Sequence, residues 1–156
     1  MLSQLANLSV EADGRYASQA EVQFLKDYFQ SFNLRLSAYQ KIQAGANEII
    51  RDVEAKIQSS DPNLLRRGSE NVVAKWRLDT GRVLRHSAAA LLIDDPNRLR
   101  DRLLLWFQTI LGSFEAKKSS EMTFEVMQEV IKQYLTAEEA NLFIPILEMN
   151  RTILGK

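Results

Sequence analysis

The chain contains no cysteine. That absence excludes disulfides, thiolate metal sites, thiol catalysis and any group held through a thioether, and it suits a reducing compartment. Histidine occurs once, at His86, so no second imidazole is available to share a metal or a haem. Glycine is sparse, and no glycine-rich phosphate loop, His-carboxylate cluster or metal-ligand spacing is present, so the chain is not expected to be an enzyme. Twenty basic residues balance twenty acidic ones, leaving no global field to favour nucleic acid or an anionic membrane. No segment approaches the roughly 18 uninterrupted apolar residues of a spanning helix. The start, Met1-Leu2-Ser3-Gln4-Leu5, lacks the basic region and long apolar run of a signal peptide. The expectation is a soluble, cytoplasmic protein without membrane insertion.

What is present is ordinary globular material, 46% hydrophobic and 26% charged, in a single domain over residues 1–156. Its periodicity is helical almost throughout. The first dozen residues, with Leu2, Leu5, Leu8 and Val10, read as a short helix outside the main body. Ser18 with Glu21 has capping-box spacing, and Val22, Leu25, Phe29, Phe32, Leu36 and Tyr39 follow as one apolar stripe on a long helix. Gly45 interrupts it. Ile49, Ile50, Val53 and Ile57 mark another helix that Asp61-Pro62 stops, because a residue before proline avoids the helical region.

Val72, Val73, Trp76, Thr80, Val83, Leu84, Ser87, Ala88 and Leu91 keep helical spacing, and Ala88-Ala89-Ala90 offers a flat packing surface. Asp95 and Pro96 then form the cap and first turn of the next helix. That helix carries the strongest stripe: Leu99, Leu103, Trp106, Phe107, Ile110, Leu111 and Phe114. Gly112, Ser113 and Lys117-Lys118-Ser119-Ser120 read as a polar break. Phe124, Met127, Val130, Ile131 and Tyr134 define a further helix, with Thr123 as its expected cap. Thr136 with Glu139 opens a last helix, which Pro145 is expected to kink or break. No run alternates like a strand. The fold class is all-α, and unequal helices joined by short capped turns suit crossed, globin-like packing better than a uniform bundle, although periodicity alone leaves that choice open.

One stretch carries more than periodicity: Trp76-Arg77-Leu78-Asp79-Thr80-Gly81-Arg82-Val83-Leu84-Arg85. It resembles the pigment-attachment helix of the phycobiliproteins, which reads Cys-(Leu/Ile)-Arg-Asp, then an aspartate, two tyrosines and Leu-Arg. Trp76 stands where the thiol would be, Asp79 matches the aspartate directed at the bilin's pyrrole nitrogens, and Leu84-Arg85 matches the Leu-Arg. Elsewhere, Glu11-Ala12-Asp13-Gly14-Arg15-Tyr16-Ala17-Ser18 resembles the family's Asp-Ala-x-x-Arg-Tyr-Leu-Ser. Phe32 to Ile50 resembles its Arg-Leu/Arg-Val segment and the Asn-Ala-x-x-Ile-Val beyond. Gly68-Ser69-Glu70-Asn71 resembles its Gly-Gly-Asn loop, and Leu91-Leu92-Ile93-Asp94-Asp95 sits where the family has Leu-Ala-Gly-Asp.

The departures gather at the pigment. Trp76 replaces the cysteine, Leu78 the propionate-gripping arginine, and Arg82 and Val83 the two tyrosines, while the loop between Asn71 and Trp76 is shorter. The resemblance therefore implies a globin-like, phycobiliprotein-type domain with a projecting N-terminal helical segment (residues 1–17) and no covalent chromophore. It implies docking on phycobiliprotein or phycobilisome core subunits, or on itself as a homodimer, in assembly, turnover or regulation of light harvesting. The place would be the cytoplasm, at phycobilisomes on the cytoplasmic face of thylakoids. Two alternatives stand beside this: a bilin or tetrapyrrole binder or carrier without a covalent bond, and a sensory globin-like domain responding to stress or to a lipid.

Each residue singled out has a plainer reading too. Trp76, Asp79, Arg82 and Val83 would line a noncovalent bilin pocket, yet Asp79 also suits a helix ion pair with Lys75 or Arg82, and Trp76 an ordinary core position that closes the pocket. Glu11, Arg15, Tyr16 and Arg85 correspond to family positions at the subunit interface, where the acid and arginine pair across a pseudo-two-fold axis; as isolated surface charges they would contribute little. His86 invites a haem, but with no second histidine a half-exposed helix position is the plainer reading. Arg98, Arg100 and Arg102 alternate, pointing about 200° apart, and form no continuous phosphate-binding face. Glu138-Glu139 is a capping and surface pair before it is a catalytic one.

Overall fold

The computed structural model describes residues 1–67, 70–113 and 116–156. Helix α1 spans Leu2–Glu11, α2 Gln19–Ala44, α3 Ala46–Ser60, α4 Val73–Ile93, α5 Pro96–Leu99, α6 Leu105–Ser113, α7 Lys117–Ile131 and α8 Ala137–Leu154. A π-helical turn, Arg100–Leu104, joins α5 to α6. A two-residue antiparallel ladder, β1 (Arg66–Arg67) with β2 (Glu70–Asn71), is too short to alter the all-α class. The expectations for Gly68, Ser69 and Phe114 lie outside the described residues.

Both capping boxes form as their spacing requires. Ser18 Oγ accepts from the Glu21 amide at 3.3 Å and Glu21 Oε2 accepts from the Ser18 amide at 2.8 Å; Thr136 and Glu139 repeat the exchange. Asp95 caps α5, with Pro96 in the first turn. The α2–α3 corner needs Gly45 for space. A Cβ there would lie 3.1 Å from the Tyr134 ring, which a 2.6 Å hydrogen bond to Asp52 holds in place.

The core lies between α3, α4, α7 and α8, with Ile49, Val53, Ile57, Leu84, Leu91, Met127, Ile131, Phe143 and Leu147 fully enclosed. Glu139, also buried, ties α8 to α2: Lys41 Nζ lies 2.7 and 2.8 Å from its two oxygens, and Ser37 Oγ donates at 2.7 Å. Burial alone would raise its pKa, but the Lys41, Ser37 and Thr136 donors hold the carboxyl down at about 2.

Five expectations change. The stripe Val22–Tyr39 is not the buried face of α2; that face is Tyr28, Arg35, Ala38 and Ile42, and Phe29 remains 71% exposed. Arg35 is buried because it completes α4: its Nη1 donates to the Leu91 carbonyl at 3.0 Å and its Nη2 lies 3.0 Å from Asp94, at an end rich in unpaired carbonyls. Trp106 is 54% exposed and Leu104 buried instead, since the π turn resets the register that a 3.6-residue period assumes. Lys117–Ser120 is the first turn of α7, not a break, and Thr123 is buried inside that helix instead of capping it. Finally, Pro145 does not break α8, which runs through it; both Pro145 and Asn141 are exposed, so the carbonyl that proline leaves unbonded can meet water.

Candidate functional site

Helix α4 places Trp76, Asp79, Thr80 and Val83 on one wall of a cavity of about 290 Å³. Positions 76, 79, 80 and 83 are separated by three and four, so a single helical face presents all of them. The opposite wall comes from distant chain: Phe107 and Leu111 from α6, and Ser119, Thr123 and Phe124 from α7. Trp76 is 9% exposed, and its indole Nε1 donates to Thr123 Oγ1 at 2.8 Å. That hydroxyl in turn donates to the Ser119 carbonyl at 2.6 Å, so the ring is fixed from two sides. The tryptophan therefore borders the cavity and does not fill it, contrary to the closed pocket expected from the sequence.

Asp79 lies at the rim, half-buried, 3.7 Å from Lys75 Nζ one helical turn earlier. A ligand that used this carboxylate would compete with that pair. Val83 is buried and lines the cavity, whereas Arg82 is exposed and absent from its lining. The four residues expected at a bilin pocket thus separate, three on the cavity and one outside it. Neighbouring Arg77 instead forks onto buried Glu54 of α3, at 2.6 and 2.8 Å. No group of acidic and histidine residues capable of holding a metal occurs among the described residues.

Of the partner-surface candidates, Glu11, Arg15 and Tyr16 lie at or just after the end of α1, and Arg85 lies on α4. Tyr16 is 99% exposed and Glu11 exposed. Arg15 is engaged within its own chain, bonding Glu21 at 2.6 and 2.9 Å and the Glu11 carbonyl at 3.2 Å, which draws the Glu21 carboxyl down to about 2. Arg85 is exposed and has no hydrogen-bond or ion-pair partner among the described residues. Helix α1 buries none of its residues; its first turn is moored where Ser3 donates its amide and hydroxyl to Asp95 at 2.7 and 3.0 Å, beside a bond from the Met1 amino group to the Asp94 carbonyl. Leu2, Leu5 and Val10 of α1 and Phe29 and Phe32 of α2 stay exposed. Sequence reasoning missed Thr123, Phe107 and Arg35 as site or corner residues, because each acts on a helix far away in the chain.

Residues 7–154 match the family model described as phycobilisome protein. Among curated proteins, the chain is 26% identical to the phycobiliprotein beta chain of Mastigocladus laminosus over 129 residues, 80% of this chain and 76% of that one. It is 26% identical to allophycocyanin subunit beta-18 of Porphyra purpurea over 127 residues, 78% and 75% of the two chains. The protein of the same name from Nostoc sp. is 31% identical over 96 residues, 58% and 56% of the two. An all-α domain with a helix-lined cavity beside Trp76 is the class these features define. The chain belongs to the phycobilisome protein family.

Proposed function

We propose that this family member carries no covalent pigment and works by docking onto phycobiliprotein subunits, in the assembly, turnover or regulation of light harvesting. The observation that carries this reading is the apolar side chains left in water on α1 and α2: Leu2, Leu5, Val10, Phe29 and Phe32 are all exposed. Exposed apolar side chains are stabilised when a partner removes them from water. With no cysteine anywhere and Trp76 at the attachment position, a thioether to a bilin has no sulfur to form it. Glu11, Tyr16 and Arg85 would rim the contact, with Arg15 holding the turn between the helices. Sedimentation of the chain with a purified phycobiliprotein subunit tests this: Leu5→Asp and Phe29→Asp should abolish co-sedimentation while leaving helix content intact. Unchanged association in both variants would sink the assignment.

A second reading is supported by the cavity beside Trp76. A bilin held without a bond would place its pyrrole N–H groups toward Asp79 and its apolar edge against Val83 and Phe107. Purification from a host that makes bilins would then give a coloured protein, and Asp79→Ala would shift or bleach the band. An identical spectrum in that variant would remove Asp79 from the contact.

A further inference from the structure

Helix α4 turns a different face toward α5 and the π turn, and there the chain leaves a groove of about 250 Å³. His86 stands on one wall and Arg98 and Arg102 on the other, with the buried side chains of Ala90, Leu99 and Leu103 contributing an apolar floor. The two arginines are four residues apart and share a face, while Arg100 between them turns away to pair with Asp101 at 2.7 Å. Neither the Arg98 and Arg102 guanidiniums nor the His86 imidazole has a hydrogen-bond or ion-pair partner among the described residues. Arg15, Arg35, Arg77, Arg100 and Arg151 by contrast pair with acids, and of the arginines left without such a partner among the described residues Arg98 and Arg102 are the two that line one groove.

The groove contains one carboxylate, Asp95, but its oxygens are occupied. They accept from the Ser3 amide, the Ser3 hydroxyl and the Arg98 amide, and the Met1 amino group lies 3.8 Å away. Its charge is therefore largely answered from the α1 side, and the guanidiniums across the groove are left to answer another anion. Two forked cations and an imidazole N–H over an apolar floor call for two negative charges on one compact group attached to a small apolar body.

We propose that this groove binds a small phosphate monoester, with Arg98 and Arg102 gripping the phosphoryl oxygens and His86 donating the third contact. The single histidine makes the test direct, because the chain has one imidazole and hence a single Hε1 resonance to follow. Glycerol phosphate is titrated into the full chain, with potassium chloride at matched ionic strength and succinate as comparisons. The expected result is a saturable shift of the His86 signal by glycerol phosphate, weakened about tenfold or more in the Arg98→Gln/Arg102→Gln variant at unchanged helical circular dichroism, since a hydrogen bond to a charged group contributes at least that factor. Arg102→Gln alone, at an exposed position, serves if the double variant fails to fold. No saturable shift, an equal shift with chloride, equal affinity in the variants, or tighter binding of succinate would each overturn the proposal.

Discussion

Replacing Trp76 tests whether its ring is part of the core. Its ring is 91% shielded by the fold, leaving 9% exposed, and one hydrogen bond of 2.8 Å joins it to Thr123. Truncation of a buried tryptophan to alanine costs about 3–5 kcal/mol, and the low end applies here because the ring already borders a cavity and has fewer neighbours to lose on that side. Trp76→Phe keeps most of the packing and removes the N–H, while Thr123 retains its own bond to Ser119, so that variant should lose about 1–2 kcal/mol. For a domain of this size each kcal/mol moves the midpoint by about 2–4 °C. Thermal melts followed by far-ultraviolet circular dichroism should therefore fall by about 6–12 °C for Trp76→Ala and by about 2–8 °C for Trp76→Phe. A Trp76→Ala midpoint indistinguishable from the parent, or a larger loss for phenylalanine than for alanine, would refute the packing role.

Gly45→Ala should lower stability by about 1 kcal/mol, because the new methyl meets the moored Tyr134 ring at 3.1 Å; a rise in urea midpoint would show that the ring yields. Gly81→Ala should do the opposite, gaining about 1 kcal/mol of helix propensity in α4 against two side-chain ends, Ile50 Cδ1 at 3.3 Å and Arg85 Nη1 at 3.5 Å, and a lower midpoint would contradict that. Glu139 has a folded pKa of about 2 against an ordinary 4.5, so the stability it supplies is complete above 4.5 and is lost as pH falls toward 2. Stability measured across that window should fall less steeply in Glu139→Gln than in the parent, and an unchanged slope would remove the Lys41–Glu139 tie as a cause. Ser87→Ala should cost about 1–3 kcal/mol, since it strands the buried Asn150 amide that donates to Ser87 at 2.8 Å.

What the sequence made legible was local. Ser18 with Glu21, Thr136 with Glu139, and Asp95 before Pro96 each specify a helix start within four residues, and each formed as read. Gly45 and Asp61-Pro62 likewise mark real helix ends. The long helix α2 misled because it carries two apolar-looking faces, and only the position of α4 decides that Arg35 goes inside and Phe29 outside. Periodicity cannot register a π turn, which is why Trp106 was placed one face away from where it lies. In the cavity, the α4 wall of Trp76, Asp79 and Val83 was readable from spacing and resemblance. The wall supplied by Phe107, Leu111 and Thr123 was not, since nothing local ties residue 76 to residue 123.

Membership in the phycobilisome protein family and the absence of cysteine motivate the proposal of a division of labour between a colourless chain and pigmented partners. Gel filtration tests it most directly, with the chain and a pigmented phycobiliprotein subunit run separately and then mixed, and absorbance read in the ultraviolet and the visible together. The chain should elute colourless alone and, on mixing, move the partner's visible band to an earlier volume. A visible band eluting with the chain by itself, or a partner whose elution the chain leaves unchanged, would contradict it.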